Sequence, residues 1–61
     1  MCLAKIYMTG REKEPVLEDV SSIQVEDGKV RAFTLFGETR EIDGYLRSID
    51  FEKSTIVLGT A

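Results

Sequence analysis

The sequence has no histidine, no tryptophan, one cysteine and one proline among its 61 residues. A single cysteine cannot form a disulfide within the chain, which excludes a disulfide framework. No CxxC or HExxH motif, glycine-rich phosphate loop or nucleophile elbow is present. General acid–base chemistry at neutral pH usually needs a histidine or a carboxylate of shifted pKa in a cleft, and so short a chain has little room for one. We therefore expect a protein that is not an enzyme.

Positive charge and long apolar runs are also scarce. Eight lysines and arginines against eleven acidic residues give a formal net charge of −3, which disfavours nucleic acid as a partner. No apolar stretch approaches the roughly 18 residues of a membrane span, and the start, Met1-Cys2-Leu3-Ala4-Lys5, does not resemble a secretion signal. We expect a cytoplasmic protein with no membrane partner and a reduced thiol.

The remaining composition is that of a small folded chain. Hydrophobic residues make up 43% and charged residues 31%, which argues against a disordered tail. Residues 1–61 are expected to form a single domain. Ordering each residue costs roughly 1.5 kcal/mol, which so small a core offsets only narrowly. A second copy of the chain would add stability, so we predict a homodimer.

Residues typical of strands, separated by frequent turn signals, favour short strands over helices. From Cys2 to Thr9 the side chains alternate, which predicts a strand with Cys2, Ala4, Ile6 and Met8 on its inward face. Further on, Asp27-Gly28 predicts a type I′ hairpin turn. The other predicted strands are Val16–Glu26 (running through Ser21-Ser22), Lys29–Phe36, Thr39–Ile42 and Thr55–Leu58.

Gly44 is predicted to bend the chain, because the parity of the apolar residues shifts after it, as an inserted residue requires. Five or six antiparallel strands in so few residues cannot form two full sheets and must curl on themselves. The sequence therefore predicts an all-β fold, a small antiparallel barrel of the SH3-like or Sm-like kind. Phe33, Phe36 and Phe51 are expected in its core.

Arginines near aromatic residues could in principle form a surface that stacks single-stranded bases. Acidic residues lie among these arginines and would cancel their field, so we favour a structural role. The residues concerned are Arg31, Arg40 and Arg47, with Glu38, Glu41 and Asp43 between them. A barrel that binds RNA or protein without a metal remains an alternative.

Cys2 is the position where residue type and location together indicate chemistry. Removal of Met1, which a small second residue permits, would leave a cysteine whose α-amine and thiolate close a five-atom ring with a metal. The backbone amide of Leu3 could add a third donor. The unperturbed pKa values, about 8 for the amine and about 8.5 for the thiol, allow deprotonation by a metal near neutral pH.

Nitrogen and thiolate donors in a tetragonal arrangement suit Ni(II) or Cu(II), whereas zinc prefers a tetrahedral set that one copy of this chain cannot provide. Two copies around a two-fold axis would complete four-coordination. A lone cysteine on an inward face is, however, more often a small buried hydrophobe. Periodicity alone leaves both interpretations of Cys2 open.

Four strings spread over nearly the whole chain are characteristic in order and spacing: Met1-Cys2-Leu3-Ala4-Lys5, Glu14-Pro15-Val16-Leu17-Glu18-Asp19-Val20, Leu35-Phe36-Gly37-Glu38 and Ile49-Asp50-Phe51. In these strings and in total length the chain resembles the CooT family of small nickel-binding proteins. The resemblance implies a homodimeric small β-barrel that binds Ni(II) through its N-terminal cysteine, here Cys2, and assists maturation of nickel-dependent carbon monoxide dehydrogenase.

The opening Met1-Cys2-Leu3-Ala4 is also similar to that of the HypC hydrogenase-maturation chaperones, in which the cysteine engages an iron centre. The likeness ends early, because Lys5-Ile6 stands where that family carries Ile-Pro. A HypC-like chaperone is therefore the second reading of the same amino-terminal thiol.

Overall fold

The computed structural model describes residues 3–60, which form six strands in one sheet. The strands are β1 Ala4–Met8, β2 Leu17–Glu26, β3 Lys29–Thr34, β4 Thr39–Asp43, β5 Tyr45–Asp50 and β6 Thr55–Gly59. Their order across the sheet is β4-β3-β2-β1-β6-β5. The predicted all-β class is confirmed.

The hairpin predicted at Asp27-Gly28 joins β2 to β3, with Glu26 opposite Lys29. Its turn is not the predicted type I′, because that type needs positive φ at both central residues and only Gly28, at 74°, has it. The pairing of β2 with β3 also has an irregularity between Val20 and Ser22, which was not predicted.

One strand pair differs from the antiparallel expectation: β1 and β6 are parallel, with Ile6 opposite Ile56. The reason is the single-residue connection at Gly44. Successive hairpins reverse the chain, but β4 passes into β5 through one residue and without a hairpin. The chain consequently enters β6 in the direction of β1.

The corner at Gly44 also curls the sheet. The outer strands β4 and β5 pair, within residues 3–60, only with β3 and β6, yet one residue joins them. Gly44 has φ 149° and its N–H donates to the carbonyl of Gly28 at 2.9 Å. A Cβ there would collide with the carbonyl oxygen of Gly59. The predicted parity shift is a separate irregularity, between Leu46 and Ser48 in the pairing with β6.

The core is aliphatic. Ile6, at the centre of β1, is completely buried and has Ala4 and Met8 packed partly buried beside it, as the alternation predicted. Cys2, the first residue of that predicted stripe, lies outside the described residues. The other buried hydrophobic residues are Leu17, Val20, Val30, Ala32, Ile56 and Leu58.

The prediction that Phe36 and Phe51 belong to the core is wrong. Their exposed fractions are 76% and 85%, while Phe33 is half-buried. Both lie beyond strand ends, since β3 stops at Thr34 and β5 at Asp50. Alternation cannot direct a side chain inward once the strand has ended, and the core consists of aliphatic residues instead.

Thr34 explains where β3 ends. Its side chain is nearly buried, with 6% of the residue exposed, and its hydroxyl accepts hydrogen bonds from the N–H groups of Phe36 at 3.2 Å and Glu38 at 3.1 Å. The Thr34 N–H in turn donates to the carbonyl of Glu38 at 2.9 Å. Local side-chain bonds of this kind compete with strand continuation and favour a turn.

We predict that Thr34→Val lowers the free energy of unfolding by about 1–3 kcal/mol, because two N–H groups lose their acceptor in a partly buried loop. Thr34→Ser is the matched control, since it keeps the hydroxyl and removes one methyl group. Urea unfolding monitored by circular dichroism measures both. An equal loss in the two variants would contradict the capping role of the hydroxyl.

We predict that Gly44→Ala costs about 3 kcal/mol or more, since backbone strain and a collision with the Gly59 carbonyl add together. Gly37→Ala is the control: Gly37 also has positive φ, 88°, but open space around it, so only about 1 kcal/mol of strain is expected. Urea midpoints of the two variants test the difference. A loss at Gly44 no larger than at Gly37 would show that the corner is not sterically fixed.

Candidate functional site

The described chain begins at Leu3 and enters the middle of the sheet. Ala4 lies opposite Val20 of β2, and the N–H of Lys5 donates to the carbonyl of Ser54 at 3.0 Å. Strands on both sides therefore fix where the chain emerges. Leu3, whose backbone amide is one predicted donor, is half-buried at this point. Cys2, the other predicted metal ligand, lies outside the described residues, so its role stays a prediction.

Ser54, which accepts the hydrogen bond from Lys5, has an unusual backbone conformation. Its φ is 54°, in the left-handed region that residues with a Cβ seldom adopt. The turn before it is braced by Asp50, whose carboxylate accepts a hydrogen bond from the Lys53 N–H at 3.1 Å. This conformation directs the Ser54 carbonyl to the Lys5 N–H, and a backbone conformation of this kind persists only where the surroundings impose it.

An apolar groove opens beside the chain start. It has a volume of about 380 Å³ and is lined by Ser21, Ser22, Asp50, Ser54 and Thr55 together with apolar side chains. Asp50 is the one charged residue in this lining. The apolar side chains are those of Ala4, Val20, Ile23, Ile49, Phe51 and Ile56. We call this feature the start groove.

The start groove exists because β2 is much longer than β1. In the described chain β1 pairs with β2 only from Leu17 to Val20, and the residues of β2 beyond Val20 pair only with β3. Past Ala4 no strand of residues 3–60 pairs with this edge of β2. The core is consequently open at this end, and Ile49 keeps 42% of its surface exposed although it lies opposite the buried Ile56.

A wider depression of about 780 Å³ lies at the other end of β1, along the loop that follows Met8. Its lining includes Arg11, Glu12, Lys13 and Glu14, whose opposite charges alternate along the chain. Such a surface presents no field of one sign to a ligand. Within residues 3–60 no cluster of three or more cysteine or acidic side chains could hold a metal ion.

One of the arginines, Arg31, is paired with an acidic group on the face formed by β3 and β4. Arg31 donates to the Glu41 carboxylate at 2.6 Å through Nη2 and at 3.2 Å through Nε, and Lys29 approaches the same carboxylate at 3.9 Å. Arg40 donates to the carbonyl of Val16 at 3.4 Å. The charge of Arg31 is therefore neutralised by Glu41, an acidic residue that the sequence places among the arginines. This weakens the case for a nucleic-acid interface.

The pKa of Glu41 is lowered, chiefly by the hydrogen bond from Arg31 and then by the charges of Lys29 and Arg31. A carboxyl whose pKa is lower in the folded chain contributes stability above its unfolded pKa, and the contribution is lost as the pH falls through the folded pKa. Because these side chains are at the surface, solvent screens the effect strongly.

A family model described as the CO dehydrogenase accessory protein CooT matches residues 1–59. The chain belongs to the CooT family. This decides between the two resemblances of the amino-terminal sequence in favour of CooT over HypC, and it makes the chain one of the accessory proteins of CO dehydrogenase.

Two known proteins are similar to the chain over nearly its whole length. An uncharacterized protein of Methanocaldococcus jannaschii is 34% identical over 58 residues, which cover 95% of this chain and 96% of that protein. The crystal structure described as a CooT of Carboxydothermus hydrogenoformans matches with a TM-score of 0.84 at 20% identity and covers 98% of both chains. The second likeness shows that the fold is shared.

No helix within residues 3–60 is long and apolar enough to cross a membrane.

We predict that the side-chain carboxyl of Glu41 titrates in NMR with a pKa below that of an ordinary glutamate. Arg31→Gln should raise this pKa toward the ordinary value, because the strongest hydrogen-bond donor is removed. Arg47→Gln removes an equal charge elsewhere and should leave it unchanged. If both variants shifted the Glu41 pKa equally, net charge and not the specific pair would be responsible.

Proposed function

We propose that this CooT-family chain is a non-catalytic, cytoplasmic accessory protein that binds Ni(II) at its N-terminal cysteine and assists maturation of nickel-dependent CO dehydrogenase. The family match over residues 1–59 supports the accessory role. The residue chemistry supports nickel at Cys2, the only cysteine in a chain without histidine. Nickel is here the cargo of the protein.

The donor set consists of atoms at the start of the chain. With Met1 removed, the α-amine and thiolate of Cys2 chelate one ion, and the deprotonated amide of Leu3 is a second nitrogen that can take the place of the amine. Each chain then supplies one nitrogen and one thiolate, and such donors suit a square-planar Ni(II) ion. Protons compete with the metal at the amine and the thiol, so binding weakens as the pH falls below their pKa values.

The fold supports this proposal by fixing the residues that follow the donors. Ala4 and Lys5 are held between β2 and β6, so Leu3 leaves the sheet at a defined point. The core next to that point is open at the start groove and not capped by another strand of residues 3–60. One chain supplies too few donors for four-coordination, and we propose that two copies share one ion.

We predict that the parent protein binds one Ni(II) per two chains and develops thiolate-to-nickel charge-transfer absorption during titration. Cys2→Ser should abolish the absorption and weaken binding at least about 100-fold, because the thiolate is lost. Acidification from pH 8 to pH 6 should also weaken binding. Intact mass spectrometry of each preparation shows whether Met1 has been removed.

The Leu3 amide is tested by a matched pair of variants. Leu3→Pro removes the N–H that must ionise to bind the metal, whereas Leu3→Ala keeps it. The proline variant alone should lose the absorption bands of the amide-bound complex. Nickel binding by Cys2→Ser as tight as that of the parent would refute the site, and equal spectra of the two Leu3 variants would remove the amide from the donor set.

A further inference from the structure

We propose that the start groove receives Phe51 of a second copy of the chain, so that two copies exchange phenylalanines across a two-fold axis beside their N-termini. The inference deepens the proposed function and rests on it in one respect: a shared ion requires the two chain starts to meet. The surface itself is inferred from the exposed side chain and the groove.

Phe51 has the properties of a docking side chain. It is 85% exposed, the largest exposed fraction among the large hydrophobic residues of the described chain. Burying a large aromatic side chain is favourable, and an isolated copy of the chain lacks this stabilisation. The turn that carries Phe51 is held by the bond from the Lys53 N–H to the Asp50 carboxylate at 3.1 Å. The side chain is therefore displayed from an ordered turn.

The start groove has the size and the chemistry to accept an aromatic ring. Its volume is about 380 Å³. An apolar cavity of about 150 Å³ is already sufficient to bind benzene. The side chains of Ala4, Val20, Ile23, Ile49 and Ile56 form apolar walls. A phenyl ring would cover the open end of the core through apolar contacts, like those within the rest of the core.

The position of Phe51 makes a second copy the fitting occupant. Phe51 lies on the rim of the start groove of its own chain, so the projecting side chain and the recess belong to one surface. A two-fold axis pairs any surface with itself, and a projection next to a recess is then self-complementary. Each Phe51 would then enter the groove of the other copy.

The buried area indicates how strong this contact is. Two phenylalanines contribute about 150–250 Å² each, and the groove walls that they cover contribute a similar amount, giving about 600–1,000 Å². A stable interface usually buries about 1,200–2,000 Å². The phenylalanine exchange alone should therefore give a weak dimer, and an ion held by both chain starts should tighten it by mass action.

The test measures the dimer dissociation constant of the full chain by sedimentation equilibrium, without metal and with Ni(II). Phe51→Ser should weaken the metal-free dimer at least tenfold. Phe36→Ser is the matched control: Phe36 is 76% exposed but does not line the start groove, so its removal should leave dimerisation unchanged. Circular dichroism should confirm that both variants fold, as exposed positions allow. Ni(II) should tighten the parent dimer at least tenfold.

The outcomes separate the two proposals. If Phe51→Ser dimerises like the parent, or if the parent is monomeric with and without Ni(II), the interface is wrong, whether or not nickel binds. If Phe36→Ser weakens the dimer as much as Phe51→Ser does, the specific groove contact is also wrong. If Phe51→Ser alone disrupts the dimer while the parent binds no nickel, the interface stands and the proposed metal site fails.

Discussion

The one-residue corner at Gly44 is the constraint on which the arrangement of the whole chain depends. It carries the chain from β4 to β5 without a hairpin, which makes β6 parallel to β1 and brings the two outer strands of the sheet together at one residue. Only glycine fits, because φ is positive and the carbonyl of Gly59 occupies the space of a Cβ. The position of the first strand is thus decided by a residue forty positions after its beginning.

The consequence of this corner is an unusual place for the start of a chain. β1 lies inside the sheet with a strand on each side, and not at a free edge. Both neighbours hold its first residues in place, through the pairing of Ala4 with Val20 and the hydrogen bond from the Lys5 N–H to the Ser54 carbonyl. Leu3, whose amide is a donor in the proposed site, therefore precedes residues that are already ordered, which lowers the entropy lost on binding.

The sequence predicted what depends on local pattern. The inward alternation of β1, the turn at Asp27-Gly28 and the special role of Gly44 follow from periodicity and from the conformational preferences of glycine. The parallel pairing of β1 with β6 could not be predicted, because it depends on which of the connections between β1 and β6 reverse the chain direction. The positions of Phe36 and Phe51 were missed because a buried threonine and a turn end their strands early. The start groove has no local signal, since it arises from the unequal lengths of β1 and β2.

A core that is open at one end lowers the stability of so small a protein. Ile49 and Phe51 remain exposed where a single further strand or side chain could cover them, although each buried large apolar side chain would add about 1.5–3 kcal/mol. The closed part of the core lies around Ile6 and Leu58, and the opening lies where the chain begins. In the proposed dimer a second copy would cover this surface, and the stabilisation would then belong to the assembled state. Because the proposed metal-binding residues lie next to this surface in the chain, assembly and metal binding would be coupled in that dimer.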